Sequence, residues 1–143
     1  MLKVRFVIDI AMAIAWLLTL KYKLLWAGHE YVGVLLFALF ILHIILNYRW
    51  FANLGKGTYN NARKLRTFIN FALLISMIAV ILTAPFIARA VDTGFNTGLT
   101  RASYKLFKGI HKGAGKLGFD LMVVHMIMHM AFFKNILRIG KAK

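Results

Sequence analysis

The sequence predicts an all-α protein, an integral membrane four-helix bundle, and three observations carry that expectation. Hydrophobic residues fill 61% of the 143 positions and mean hydropathy is +0.71, whereas a soluble domain is about half apolar. The excess is gathered into four blocks, residues 6–20, 31–46, 68–87 and 117–133, against the roughly 20 apolar residues a helix needs to cross hydrocarbon. The 19 basic residues outnumber 4 acidic ones, for a net charge of +15, and they mostly flank the blocks, where they meet anionic headgroups. Backbone in lipid must satisfy its own hydrogen bonds, so only helices or closed barrels span it. Apolar runs without strict alternation choose helices. The expectation is one domain, 1–143, with helices at about 5–25, 29–50, 66–90 and 104–137.

In the first element Lys3 and Arg5 precede an apolar stretch, as in a signal peptide. Asp9 interrupts the stretch and no small-x-small cleavage site follows Leu20, which predicts a retained helix extended by snorkelling Lys21 and Lys23. Residues 48–66, with Gly55, Gly57, Asn60, Asn61 and five basic residues, read as a polar connection before the third helix. Residues 89–110, with Asp92, Gly94, Asn96 and Gly98, read as a second loop. Trp16, Trp26, Tyr48 and Trp50 fall near block ends, as an aromatic belt would. The single proline, Pro85, leaves the helices largely unbroken.

Counting Lys and Arg with both termini cytoplasmic places eleven inside and eight outside. The positive-inside rule therefore favours both termini in the cytoplasm, and the expected location is the cytoplasmic (inner) membrane, crossed several times. Basic charge without a soluble scaffold points to the lipid bilayer as partner, not to nucleic acid. The chain has no cysteine, which excludes disulfides, iron–sulfur clusters, thiolate-bound metals and covalently attached c-type haem.

The five histidines fall on the second and fourth helices. His29 and His43 are fourteen positions apart, and so are His111 and His125. Fourteen residues are nearly four turns, so each pair shares a face and is separated by about 21 Å along the axis. A six-coordinate haem needs two axial ligands. Two helices running parallel with matched spacing supply two such pairs, His29 with His111 and His43 with His125. The stripe His29, Gly33, Leu36, Phe40, His43, Asn47 advances by 4, 3, 4, 3, 4, and so does His111, Gly115, Gly118, Met122, His125, His129. Gly33, Gly115 and Gly118 lie between the histidines, where absence of a side chain lets backbone approach a flat ring. Helices one and three also begin alike, with Arg5-x-x-x-Asp9 and Arg66-x-x-x-Asn70. Two b-type haems are the expected cofactors.

A lone histidine near a helix end is most often an interfacial or core residue, and small residues serve plain helix packing. His43 and His125 fall well inside blocks, where an ionisable residue is by default functional, and the equal spacing makes a chance match of both pairs improbable. His129 lies one turn beyond His125 and competes with it as ligand, or serves as an imidazole partner, propionate partner or quinone contact. Asp9, Glu30 and Asp120 are candidates to orient a ligand imidazole through its other nitrogen; Asp120 also pairs by spacing with Lys116. Arg5, Arg49, Arg66 and Arg101 are candidate propionate partners or lipid anchors. Met122, Met126, Met128 and Met130 read better as adaptable packing than as ligands.

At these residues the chain resembles a known family. His29-Glu30-x-x-Gly33, continuing to HIILNYRWF from His43, resembles the small four-helix bacterial proteins called flavinylation-associated cytochromes, and His125-x-x-x-His129 resembles that family's last helix. The resemblance covers most of the chain, and His43, Asn47, Arg49 and Trp50 are its more specific part. More distantly, the histidine pairs resemble the haem-bearing core of ferric reductases and NADPH oxidases. The resemblance implies a b-type dihaem membrane cytochrome that works with an extracytoplasmic flavoprotein or other redox partner. It would oxidise a quinol or another inner-side donor and pass electrons outward. The chain departs from the family pattern at Lys112 and the glycines after His111, and in its basic charge.

The functional expectation is an electron-transfer component and not a complete enzyme, with no catalytic residue, no Gly-rich dinucleotide motif and no soluble domain. Arg101, Lys105 and Lys108 would steer an acidic redox partner. The alternatives are a haem-binding anchor subunit of a larger quinone-linked dehydrogenase or hydrogenase, and a haem-free small membrane transport or assembly protein.

Overall fold

The computed structural model describes residues 2–20, 27–95, 98–130 and 134. Among them the chain is all-helical, with no strand: α1 Leu2–Thr19, α2 Ala27–Leu46, α3 Tyr48–Ala52, α4 Asn61–Ile87 and α5 Arg101–Met128. Lys21, Lys23, Trp26, Asn96, Arg138, Lys141 and Lys143, and the expected helix ends at 25 and 137, lie outside the described residues. The described residues form two compact units, one with α1, α2 and α3 and the other with α4 and α5. In the first, α1 pairs with α2; in the second, α4 pairs with α5.

The helix ends follow from local chemistry. The second expected helix, 29–50, is broken at Asn47, whose side-chain Nδ2 donates to the carbonyl of His43 at 2.9 Å. Its backbone N–H is shared between His43 O and Ile44 O at 3.0 and 3.1 Å. This tightened last turn closes α2, and the short helix α3 starts afresh from Asn47, with Trp50 N–H donating to Asn47 O at 2.9 Å. Helix α4 begins well ahead of its apolar block because Asn60 caps it, accepting from Arg63 N–H at 2.9 Å. Thr100 caps α5 in the same way, from Ser103 N–H at 3.1 Å. Pro85 sits in the last turn of α4, where its carbonyl accepts from Thr93 Oγ1 at 2.7 Å, and Ala88 leaves the helix in extended conformation.

In the first hairpin Ala13, Ala15 and Trp16 of α1 and Leu36 and Phe40 of α2 are buried. Trp16, expected in an interfacial belt, is 5% exposed. In the second, Ile69, Ser76, Met77 and Thr83 of α4 and Gly118 and Met122 of α5 are buried. Ser76 Oγ donates to Ala114 O at 2.6 Å, tying the two helices together.

The outer faces of α2 and α4 are apolar and exposed. On α4, Phe68, Phe71, Ile75, Ile78 and Leu82 recur at steps of 3, 4, 3 and 4 and are all exposed. On α2, Val34, Leu35, Ile41, Leu42 and Ile45 are exposed as well. Gly28–Leu46 and Asn61–Ile87 are each long and apolar enough to cross a membrane. A soluble protein places such residues inside, and large exposed apolar faces mark membrane or protein contact.

Candidate functional site

The two histidine stripes are the inward faces of the two hairpins. In the first, the stripe from His29 to Asn47 turns Leu36 and Phe40 into the buried side of α2, with Gly33, His43 and Asn47 half-buried beside them. In the second, the stripe from His111 to His129 carries Gly118 and Met122, the buried residues of α5, with His111, Gly115, His125 and His129 half-buried.

Each of the four spaced histidines presents Nδ1 to an acceptor on the preceding long helix of its own hairpin. His29 Nδ1 lies 2.9 Å from Thr19 O. His43 Nδ1 lies 2.7 Å from Asp9 Oδ1. His111 Nδ1 lies 3.1 Å from Val80 O and 3.2 Å from Thr83 Oγ1. His125 Nδ1 lies 2.9 Å from Asn70 Oδ1. Carbonyl, carboxylate and amide oxygens only accept, so Nδ1 carries the proton and donates in all four. Thr83 fits the same assignment: its hydroxyl donates to Ala79 O at 2.6 Å, leaving an oxygen lone pair toward His111. In a neutral imidazole protonated at Nδ1, the lone pair that can bind a metal is on Nε2.

The acceptors repeat as the histidines do. Asp9 and Thr19 are ten positions apart, as are Asn70 and Val80, whereas the histidines they serve are fourteen apart. The two spacings agree because side chains tilt toward a helix N-terminus while carbonyls point toward its C-terminus. A carboxylate or amide near the start of the helix and a carbonyl ten residues on therefore span more than the 15 Å between their Cα atoms. Thr19 closes α1, so its carbonyl is one of the four that lack an intrahelical donor. The likeness continues past His43 and His125. His129 N–H is shared between His125 O and Met126 O at 3.2 and 3.1 Å, as Asn47 N–H is between His43 O and Ile44 O. The His129 ring stands 4.6 Å from that of His125, tilted by 43°.

The remaining candidates differ in what surrounds them. A Cβ on Gly33 would meet nothing within 4 Å, and one on Gly115 would meet only Val80 Cγ2 at 4.0 Å, an ordinary contact. Close helix packing therefore does not demand glycine at either place. Arg5 Nε is buried and has no hydrogen-bond partner among the described residues. Arg49 donates from Nε to Tyr48 Oη at 3.4 Å, and Arg66 and Arg101 are exposed. Glu30 is half-buried and Asp120 exposed. Of the methionines, Met122 is buried at 8% exposure and Met130 is exposed. Thr19, Asn70, Val80 and Thr83 are partners that sequence reasoning did not assign to a histidine: Asn70 stood out only through its repeat with Asp9, and Thr19 and Val80 act through backbone oxygen, which every residue type possesses. No family model, no curated protein and no solved structure matches the chain.

Proposed function

We propose that the chain is a b-type dihaem cytochrome that carries electrons across a membrane, with His29, His43, His111 and His125 as axial ligands, paired as their sequence spacing sets out. The observation that carries this reading is the fourfold Nδ1 pattern. Four half-buried imidazoles, two per hairpin, each donate from Nδ1 to an oxygen of the neighbouring helix. Metal-bound histidines are ordinarily held in this manner, the hydrogen bond fixing both tautomer and ring plane. A histidine that merely fills space has no need of the same nitrogen in every case.

The residues around the ligands suit the group. Neither Gly33 nor Gly115 is crowded, since an added Cβ would meet nothing within 4 Å at the first and only Val80 Cγ2 at 4.0 Å at the second, and the buried Arg5 Nε, without a partner among the described residues, offers a donor to an acidic substituent such as a propionate. When bound, haem supplies a one-electron couple that requires no bond to substrate. The exposed apolar faces of α2 and α4 would meet lipid, and the excess of Lys and Arg flanking the apolar blocks supports cytoplasmic termini. In this reading the donor is a quinol or other reductant on the cytoplasmic side, and the acceptor is an extracytoplasmic partner, flavin-bearing if the resemblance to flavinylation-associated cytochromes extends to function.

The test is the visible spectrum and pyridine haemochrome of detergent-purified protein, with haem counted per chain. About two b haems are expected, with loss of one on His43→Ala. A colourless protein from haem-replete cells overturns the reading.

A further inference from the structure

Each imidazole in the set donates from Nδ1 to the neighbouring helix, but the acceptors are chemically unequal. His29 and His111 donate to backbone carbonyls, of Thr19 and Val80. His125 donates to the neutral carboxamide of Asn70. His43 faces a carboxylate, Asp9, at 2.7 Å, the shortest of the four contacts. The two sit at equivalent places in their hairpins, sixty-one positions apart, so the carboxylate on one side and the amide on the other is a difference between otherwise matched sites.

We propose that Asp9 makes the haem held by His43 the lower in potential of the two. The proposal rests on the dihaem reading above. A charged acceptor draws the Nδ1 proton more strongly than a neutral one, which leaves a more basic Nε2 for the metal. A stronger donor ligand with a fixed negative charge behind it stabilises ferric iron over ferrous. Both side chains are less than a quarter exposed, so water screens that charge only partly. Arg5 lies one turn earlier on the same helix, yet among the described residues the Asp9 carboxylate pairs with Nδ1 of His43 and not with Arg5. The couple is a one-electron couple; the proton stays on Nδ1 and no bond forms or breaks. At equilibrium the electron then resides on the haem held by His29, away from the carboxylate.

The experiment is a potentiometric titration of the purified full chain, followed in the visible spectrum, for the natural protein and for Asp9→Asn, Asp9→Glu and Asn70→Asp. Two one-electron waves are expected. Asp9→Asn raises the lower wave by a tenfold change in its reduction equilibrium, about 59 mV for one electron, and leaves the upper wave in place. Asp9→Glu keeps the lower wave low. Asn70→Asp adds a carboxylate behind His125, which shares that haem by spacing, and lowers the same wave further. Should Asp9→Asn fail to assemble, Asn70→Asp decides alone, and an unmoved lower wave overturns the proposal. Two haems whose waves ignore both substitutions overturn it while the dihaem reading stands. A colourless natural protein overturns both.

Discussion

Asn70 accepts a hydrogen bond from Nδ1 of His125 at 2.9 Å, across fifty-five positions of sequence. If the hairpin spans a membrane, where a hydrogen bond between helices averages only about 0.6 kcal/mol, this contact aims the ring more than it holds the hairpin. Asn70→Leu should therefore leave helix content and thermal unfolding of the haem-free chain nearly unchanged, within about 1 kcal/mol. Removing such a partner from a metal-bound histidine typically weakens metal affinity by roughly 10–100-fold, so haem retained through purification should fall. Circular dichroism and haem per chain, measured on the same sample, separate the two effects. An equal loss of fold and haem would make Asn70 a structural residue.

Much of this arrangement was legible in the sequence, for a physical reason. A 4, 3, 4, 3, 4 stripe marks one face of a helix, and in each hairpin that face turned out to be the inward one, bearing Leu36 and Phe40 or Gly118 and Met122. Asp9 also stood out, since a carboxylate inside an apolar block needs a partner; His43 is that partner. The acceptors for His29 and His111 were not legible, because a backbone carbonyl carries no residue signature. Nor was the start of α4 at Asn61. Its first two turns are polar and show no apolar period, and the asparagine that caps it lies in a stretch that reads as loop. The break at Asn47 was hidden similarly, since Asn47 falls on the stripe as its last member while its side chain captures the carbonyl one turn back.

The exposed stripe on α4 tests the membrane reading. Ile75 is 65% exposed while Met77, two residues on, is 2% exposed. If α4 spans a bilayer, Ile75 faces lipid near the middle of its apolar block. Lys at that position should oppose insertion of the isolated segment by about 2.5–3.5 kcal/mol on translocon scales. A glycosylation-mapped insertion assay of residues 61–87 reads this directly. If natural and Ile75→Lys segments are both fully translocated without insertion, α4 is not a membrane span.

Gly33 offers a test of where a planar group lies. A Cβ there would meet nothing within 4 Å, so Gly33→Ala costs the hairpin no packing. It should even gain roughly 0.5–1 kcal/mol from the alanine preference for helix. Gly33→Leu starts from the same clear Cβ position but fills the face between His29 and His43. The leucine variant should fold and insert as the natural chain does and lose haem, whereas the alanine variant retains most of it. Full haem occupancy in Gly33→Leu would place the macrocycle elsewhere.

His125 and His129 lie one turn apart and compete as ligand, with the equal spacing in favour of His125, and their surroundings predict different outcomes on substitution. His125 stands within α5 with Nδ1 committed to Asn70, so its ring plane is set from outside its own helix. His129 is the residue that closes α5, its backbone N–H shared between two carbonyls, and its ring lies 4.6 Å from that of His125. Fourteen positions from His111 match the fourteen from His29 to His43, while eighteen do not; the extra four correspond to about 6 Å along the helix. His125→Ala should therefore remove one haem per chain, as His43→Ala does. His129→Ala should keep both haems, with at most a modest shift in the spectrum of one of them from the altered ring neighbour. The low-temperature visible spectrum and haem stoichiometry of the two variants, purified side by side, measure this. If His129→Ala loses the haem and His125→Ala keeps it, the ligand lies at the end of α5, and the hydrogen bond from His125 to Asn70 serves the packing of the hairpin.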